Sequence, residues 1–156
     1  MSTSRIAGRA LYWAAGQFRD RPAVVFRDRT LTYVQIEQRS NQFANALIGL
    51  GQRPGDRVAA LLNNSVESID GQFGAEKAAQ TYVPLNARHT LHEHADVLAD
   101  AGASVLVAGA EFAGMALQLP KLVPSLRHVV GVGWHDSGVV DYDALLAKAS
   151  DRAPLL

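Results

Sequence analysis

The chain has no cysteine. Disulfide cross-links, cysteine-ligated metals and thiol nucleophiles are therefore excluded from it. It has no excess of either charge, since 15 basic and 15 acidic residues give a formal net charge of zero. Residues 1–60 do carry nine arginines against four acids, but they are scattered and no aromatics interleave with them, so no nucleic-acid footprint results. Long hydrophobic runs are missing as well. No stretch approaches the ~20 apolar residues of a membrane-spanning helix. Arg5 and Arg9 interrupt the amino terminus where a signal peptide needs its apolar core. Two phosphate-binding loops are also absent: there is no Gly-x-x-x-x-Gly-Lys-Ser/Thr and no Gly-x-Gly-x-x-Gly behind a strand. These absences lead to the expectation of a soluble, cytoplasmic protein with no nucleic-acid partner and no transmembrane segment.

What is present is a globular composition. The 156 residues are 48% hydrophobic and 19% charged, enough for one domain with a sizeable core. Ile6, Ala10, Trp13, Ala14 and Phe18 recur at helical spacing and predict an opening helix buried along that stripe. Pro22 ends it. Val24 to Phe26 and Leu31 to Tyr33 flank Arg27-Asp28-Arg29 and predict a β-hairpin. Thr32 and Gln35 have capping-box spacing ahead of a helix that faces inward through Ile36, Phe43, Ala44, Leu47 and Leu50. Gly51 supplies its left-handed end. Strands follow at 57–62, at "TYVPL", at "SVLVAG" and at "HVVGVG". Between them lie a helix capped by Asn64 and Glu67, a helix capped by Thr90 and Glu93 and ended by Gly102, and a weak helix from Glu111 to about Leu119. After a polar turn, "DYDALLAKA" predicts a last short helix. Four apolar strands alternating with helices predict an α/β fold: a mainly parallel sheet with helices on both faces, plus an N-terminal helix and β-hairpin.

The stretch "QRPGDRVAALLNNS" contains the one candidate cleft. Asn63, Asn64 and Ser65 stand at the carboxyl end of a buried strand, where open α/β sheets bind ligands. A cap role for Asn64, reinforced by Glu67, competes with ligand contact and outweighs it. His89, His92, His94 and Asp96 form the only histidine-rich segment. Zinc needs three or four convergent ligands. The helical period turns His94 away from the face shared by His92 and Asp96, so the segment reads as a solvated helix face and no metal is expected. Ser65, Ser68 and Ser104 sit in no nucleophile elbow. Asp141 and Asp143 fit the start of a helix.

Several spaced blocks agree with one family. "RPAVVFRDRTLTYVQIEQRSNQFANALIGLGQRPGDRVAALLNNS", then "FGAEKAAQTYVPLNARHT", then "ADVLADAGASVLVAG" resemble the amino-terminal part of the adenylate-forming, AMP-binding superfamily. The resemblance covers about residues 8–150. Asn86-Ala87-Arg88 is more similar to acyl-CoA synthetases than to the Asp-Pro of peptide-synthetase adenylation domains. The resemblance implies ATP-dependent ligation of a carboxylic acid to CoA, through an acyl-adenylate and release of pyrophosphate, with ATP, Mg and CoA serving the complete enzyme. The family's Thr/Ser/Gly-rich phosphate loop, ending in Lys-Gly, follows the region that resembles "DYDALLAKA". The 156 residues hold no such loop. The expectation is therefore an amino-terminal fragment, with residues 1–150 the start of the large domain and 151–156 a linker or truncation point. No catalytic or cofactor-binding residue is assigned and no cofactor is expected on the fragment. Its partner is expected to be the remainder of the enzyme or a second copy in a dimer or higher oligomer. A stand-alone α/β interaction module is the alternative. Asp70, Gly71, Gln72, Glu76 and Gln80 depart from a block that is apolar or small in the family. They must find partners or leave that surface open.

Overall fold

The computed structural model describes residues 6–155. The opening helix α1 runs Ile6–Phe18. A two-stranded antiparallel hairpin follows, β1 (Pro22–Phe26) and β2 (Arg29–Thr32). The turn holds only Arg27 and Asp28, with Arg27 at φ 55°, so Arg29 already belongs to the second strand. Then come α2 (Tyr33–Gly49), β3 (Arg57–Leu61), α3 (Val66–Lys77), β4 (Thr81–Pro84), α4 (Leu91–Ala101) and β5 (Val105–Gly109). A 3-10 turn at Ala110–Phe112 leads to α5 (Ala113–Ala116), α6 (Leu119–Leu122), β6 (His128–Val132), β7 (Val139–Asp141) and α7 (Tyr142–Lys148).

The main sheet is five-stranded, in the order β4-β3-β5-β6-β7, and every pairing in it is parallel. Its central strands are apolar apart from Arg57 and His128 at their starts, and alternate residues go to different cores. Ala59, Leu61, Leu106, Ala108 and Val129 pack on one face with Leu98 of α4 and Leu119 of α6. Val58, Val105, Val107 and Val130 pack on the other with Phe43 and Leu47 of α2, Ala75 of α3 and Tyr142 of α7. That division is why no polar–apolar alternation shows in these strands: both sides are dry. A smaller core joins Leu11 of α1, Ile36 of α2 and Val66 beneath the hairpin.

Local chemistry sets most of the boundaries. Thr32 caps α2 through Gln35, whose amide oxygen accepts from the Thr32 backbone N–H at 2.8 Å. Thr90 and Glu93 make the same box at α4, which ends at Gly102 in the left-handed region at φ 63°. Thr32→Ala removes one side of the first box, and we expect about 1 kcal/mol of lost stability in urea unfolding. A change below about 0.3 kcal/mol would show that tertiary packing alone holds the helix start.

Four sequence expectations are corrected. The buried face of α1 is Leu11 and Ala15, whereas Ala10 is exposed, Trp13 is 62% exposed and Phe18 36%. The helix is apolar around most of its circumference, so periodicity does not choose a face, and the small Ala15 allows close approach. The Ile6 side chain lies outside the described residues. Helix α3 is capped by Ser65 rather than Asn64, with Ser68 as its reciprocal partner. The two pairs have identical spacing, and the one-residue shift frees Glu67 for Arg29 at 2.8 Å. The helix expected from Glu111 to Leu119 breaks into a 3-10 turn and two four-residue helices. Gly114 lies within the short α5, and Pro120 sits in the first turn of α6. Finally, a fifth parallel strand, β7, lies between the expected turn and the last helix and takes Asp141 from that helix's expected start.

Candidate functional site

The chain passes from β3 to β4 on one side, then crosses over to β5 on the other. The topological switch point therefore lies at the carboxyl ends of β3 and β5, the place where open α/β sheets form a ligand crevice. Asn63 stands at this point. Its side-chain amide donates to Glu111 Oε1 at 2.6 Å, and Glu111 lies in the 3-10 turn directly after β5. This hydrogen bond bridges the carboxyl ends of β3 and β5 across the switch point. Asn64 is exposed and its side chain has no hydrogen-bond partner among the described residues. Ser65 is committed to the α3 N-terminus, accepting from Ser68 N at 3.2 Å. The three residues are thus adjacent in sequence but differ in availability: one bridged, one free, one used as a cap.

Asn63 and Asn64 also open onto a cleft of about 590 Å³ between α3 and β4. Its walls include Ser68, Gln72 and Glu76, spaced four apart on one face of α3, and Gln80 just beyond the end of that helix. Gln80 is only 4% exposed, and both atoms of its amide are without hydrogen-bond partners. Glu76 Oε2 is likewise buried and unpartnered. Burial raises the Glu76 pKa above its ordinary value, and a hydrogen bond from Gln72 partly opposes that. Burial also pushes the Tyr82 hydroxyl up to about 12, so it stays a neutral donor toward the Ser68 carbonyl at 3.4 Å. Glu111 and Gln80 were not singled out as site residues from the sequence. The signal for Glu111 was its position just past the second strand of the switch, the counterpart of Asn63 past the first.

Asp70, by contrast, finds partners. It is fully buried, and its Oδ2 accepts from Arg39 Nη2 at 2.6 Å and from the Tyr142 hydroxyl at 3.0 Å. Burial raises the Asp70 pKa, and the Arg39 hydrogen bond and charge pull against that rise. Burial would also raise Glu67, but the hydrogen bond and charge of Arg29, with Arg39 behind it, hold its carboxyl below the usual range. The cluster ties the hairpin, α2, α3 and α7 together. Lys77 makes a second tie between α3 and α2, 2.6 Å from both Glu37 Oε2 and Asn41 Oδ1. From α2, Asn41 and Asn45 donate to the carbonyls of Asp151, Ser150 and Arg152, which fixes the path of the chain after α7.

The histidine segment departs from expectation. His92 and Asp96 are exposed, but His94 is completely buried, its ring 5.7 Å from that of His89 and both its nitrogens unpartnered. It occupies a core position of α4 beside Leu98, so the solvated-face reading fails for this residue. Burial first, and His89 second, keep its pKa below the usual 6.5 and its ring neutral. Among the described residues no three His, Cys, Asp or Glu side chains converge as a metal site. Among the described residues no serine is paired with a base either: Ser104 donates to Gln52 in the interior. The site can bind by hydrogen bonds, and it carries no nucleophile–base pair.

A three-layer parallel α/β sheet with a preceding helix and hairpin is a frame that several enzyme classes share. Here the comparison is specific: the chain belongs to the AMP-binding enzyme family, whose model matches residues 11–154. It is thus a member of the adenylate-forming superfamily. It is 39% identical over 110 residues to a fatty acid–[acyl-carrier-protein] ligase of Streptomyces coeruleorubidus, covering 70% of this chain and 21% of that protein. It is 33% identical over 145 residues to the crotonobetaine/carnitine–CoA ligase of Salmonella typhimurium, covering 87% and 28% respectively. Among solved structures, the anthranilate CoA ligase AuaEII in complex with anthranoyl-AMP superposes with a TM-score of 0.90 at 26% identity, over 97% of this chain and 30% of that one. The chain therefore spans less than a third of the length of each of these proteins.

Proposed function

We propose that these residues are the amino-terminal frame of an ATP-dependent acid–CoA ligase, acting in the cytoplasm on a carboxylic acid of the fatty-acid type. In the full reaction a carboxylate oxygen attacks the α-phosphorus of ATP and pyrophosphate leaves. The sulfur of CoA then attacks the acyl carbonyl, its proton is lost, and AMP leaves. Residues 1–150 form the start of the large domain, and 151–156 link it to the remainder of the ligase. The supporting observation is the near-complete superposition of this chain on part of a CoA ligase. Asn86-Ala87-Arg88 favours the CoA branch over the peptide synthetases.

By itself the frame is inactive. Adenylation needs groups that grip the triphosphate and stabilise charge at the α-phosphate. The 156 residues contain no Ser/Thr/Gly-rich loop ending in Lys-Gly. Asn63 and Asn64, on the wall of the cleft between α3 and β4, serve as second-rank contacts, and Ser65 serves as scaffold at the start of α3. ATP and CoA depend on residues supplied by the rest of the ligase. The coding sequence beyond Leu156 tests this: an in-frame phosphate loop supports the reading, and a stop codon there contradicts it.

A further inference from the structure

The cleft between α3 and β4 runs along a free sheet edge. β4 is the first strand in the order β4-β3-β5-β6-β7, so one side of it has no neighbour among the described residues. Thr81 N donates to Asp56 O at 2.9 Å and Leu85 N to Ala60 O at 2.9 Å. Residues 81, 83 and 85 therefore address β3, and 82 and 84 address the open side. Pro84 has no N–H. The open side of β4 consequently offers a single backbone donor, Tyr82 N–H, with the carbonyls of Tyr82 and Pro84 as acceptors.

Such an edge is a poor template for a long foreign strand, and in one arrangement it complements itself. The geometry points to a two-fold dimer of this chain, formed by antiparallel pairing of β4 with β4 of a second copy, centred on Tyr82. In that register the two Tyr82 residues exchange both of their N–H to C=O hydrogen bonds. No backbone donor is left over. Gln80 then stands opposite Pro84 of the second copy. The backbone N–H of Gln80 is already spent on Ala75 O at 2.8 Å. Its side-chain amide is buried and unpartnered, and Pro84 offers a carbonyl and asks for no acceptor. The antiparallel direction also carries the segment after β4 of the second copy back along the cleft toward Gln80 and Glu76. That segment contains Arg88, which is exposed and whose guanidinium has no partner among the described residues. Glu76 is the one charged residue lining the cleft, and its buried oxygen lacks a partner. Each copy thus supplies the cation that the acid of the other copy needs. The contact is isologous and closes at two copies.

The interaction is stated for the 156-residue chain by itself, and it rests on the edge and cleft of these residues. Sedimentation velocity on the 156-residue chain, from about 1 to about 200 µM, should show a reversible monomer–dimer equilibrium. Tyr82→Pro removes the only outward donor and leaves the β3-facing groups intact, and it should abolish the dimer. Arg88→Glu, on an exposed side chain, should weaken the dimer at least about tenfold, and Glu76→Lys combined with Arg88→Glu should restore it. Circular dichroism establishes that each variant is folded. A wild-type chain that stays monomeric throughout overturns the proposal. So does a dimer indifferent to Arg88→Glu, or one that the charge reversal fails to restore.

Discussion

Asp70→Ala lowers the unfolding free energy by about 3 kcal/mol, because it leaves the Arg39 guanidinium facing an empty interior. The value sits at the lower end for a broken buried pair, since Arg39 keeps 24% of its side chain in solvent while Asp70 keeps 0%. Tyr142→Phe removes only the second hydrogen bond and costs about 1 kcal/mol. Because four elements meet at this cluster, the Asp70 variant also loosens the packing of α7 on α2. Replacing both charges, with Arg39→Met and Asp70→Leu together, should recover most of the loss, since no charge is then stranded. Urea unfolding of the three variants measures this. A loss under about 1 kcal/mol for Asp70→Ala would mean that water, and not the ion pair, supports Arg39.

The two acids of the cluster respond oppositely to pH. Asp70 has its pKa raised above 3.8 in the folded protein. Its contribution is complete below that value and is lost as pH rises through the folded pKa. Glu67 has its pKa lowered below 4.5. Its contribution is present above that value and is lost as pH falls through the folded pKa. Glu67→Gln should therefore flatten the acid limb of the stability curve.

Phe43→Ala carries the second large effect, about 4 kcal/mol. Phe43 is completely buried between α2, α3 and the sheet, and its ring is 5.8 Å from that of Tyr142. Gly74 of α3 faces it. A Cβ on Gly74 would lie 2.7 Å from Phe43 Cδ1 and 3.0 Å from the Ser40 carbonyl oxygen. Gly74→Ala should accordingly cost about 2 kcal/mol. The two sites are in contact, so their effects cannot add. Gly74→Ala made in a Phe43→Leu background should cost measurably less than in the wild type. Additive losses would show that the Ser40 backbone, and not the ring, is the obstacle.

The layers of the fold were legible because they rest on short-range rules. The capping boxes at Thr32 and Thr90, the left-handed Gly102 and the unbroken apolar strands each follow from a few neighbouring residues. What was not legible depends on distant ones. Ser65 wins the cap from Asn64 because Glu67 is drawn away by Arg29, 38 positions earlier in the chain. Leu11 and Ala15 are buried in preference to Trp13 because of what α2 and α3 present to α1. His94 enters the core although histidine at an early helical position reads as surface. The parallel sheet and the place of Asn63 past the carboxyl end of β3 could be read from pattern. Glu111 could not, because its meeting with Asn63 depends on the order in which strands are laid beside one another.

The polar face of α3 shows the same limit. Asp70, Gly71, Gln72, Glu76 and Gln80 stand out in the sequence as one group of departures. In the fold they divide: Asp70 turns inward, where its Oδ2 accepts from Arg39 and Tyr142, and Glu76 and Gln80 line the cleft. Helical geometry separates them, since residues four apart share a face and residues two apart do not.

The most direct measurement is acid-dependent exchange of labelled pyrophosphate into ATP, run on the purified 156-residue chain with aliphatic and aromatic carboxylic acids. A frame without a triphosphate grip should give no exchange above the enzyme-free background with any of them. Label entering ATP only when one of these acids is present would show that these 156 residues already activate carboxylates.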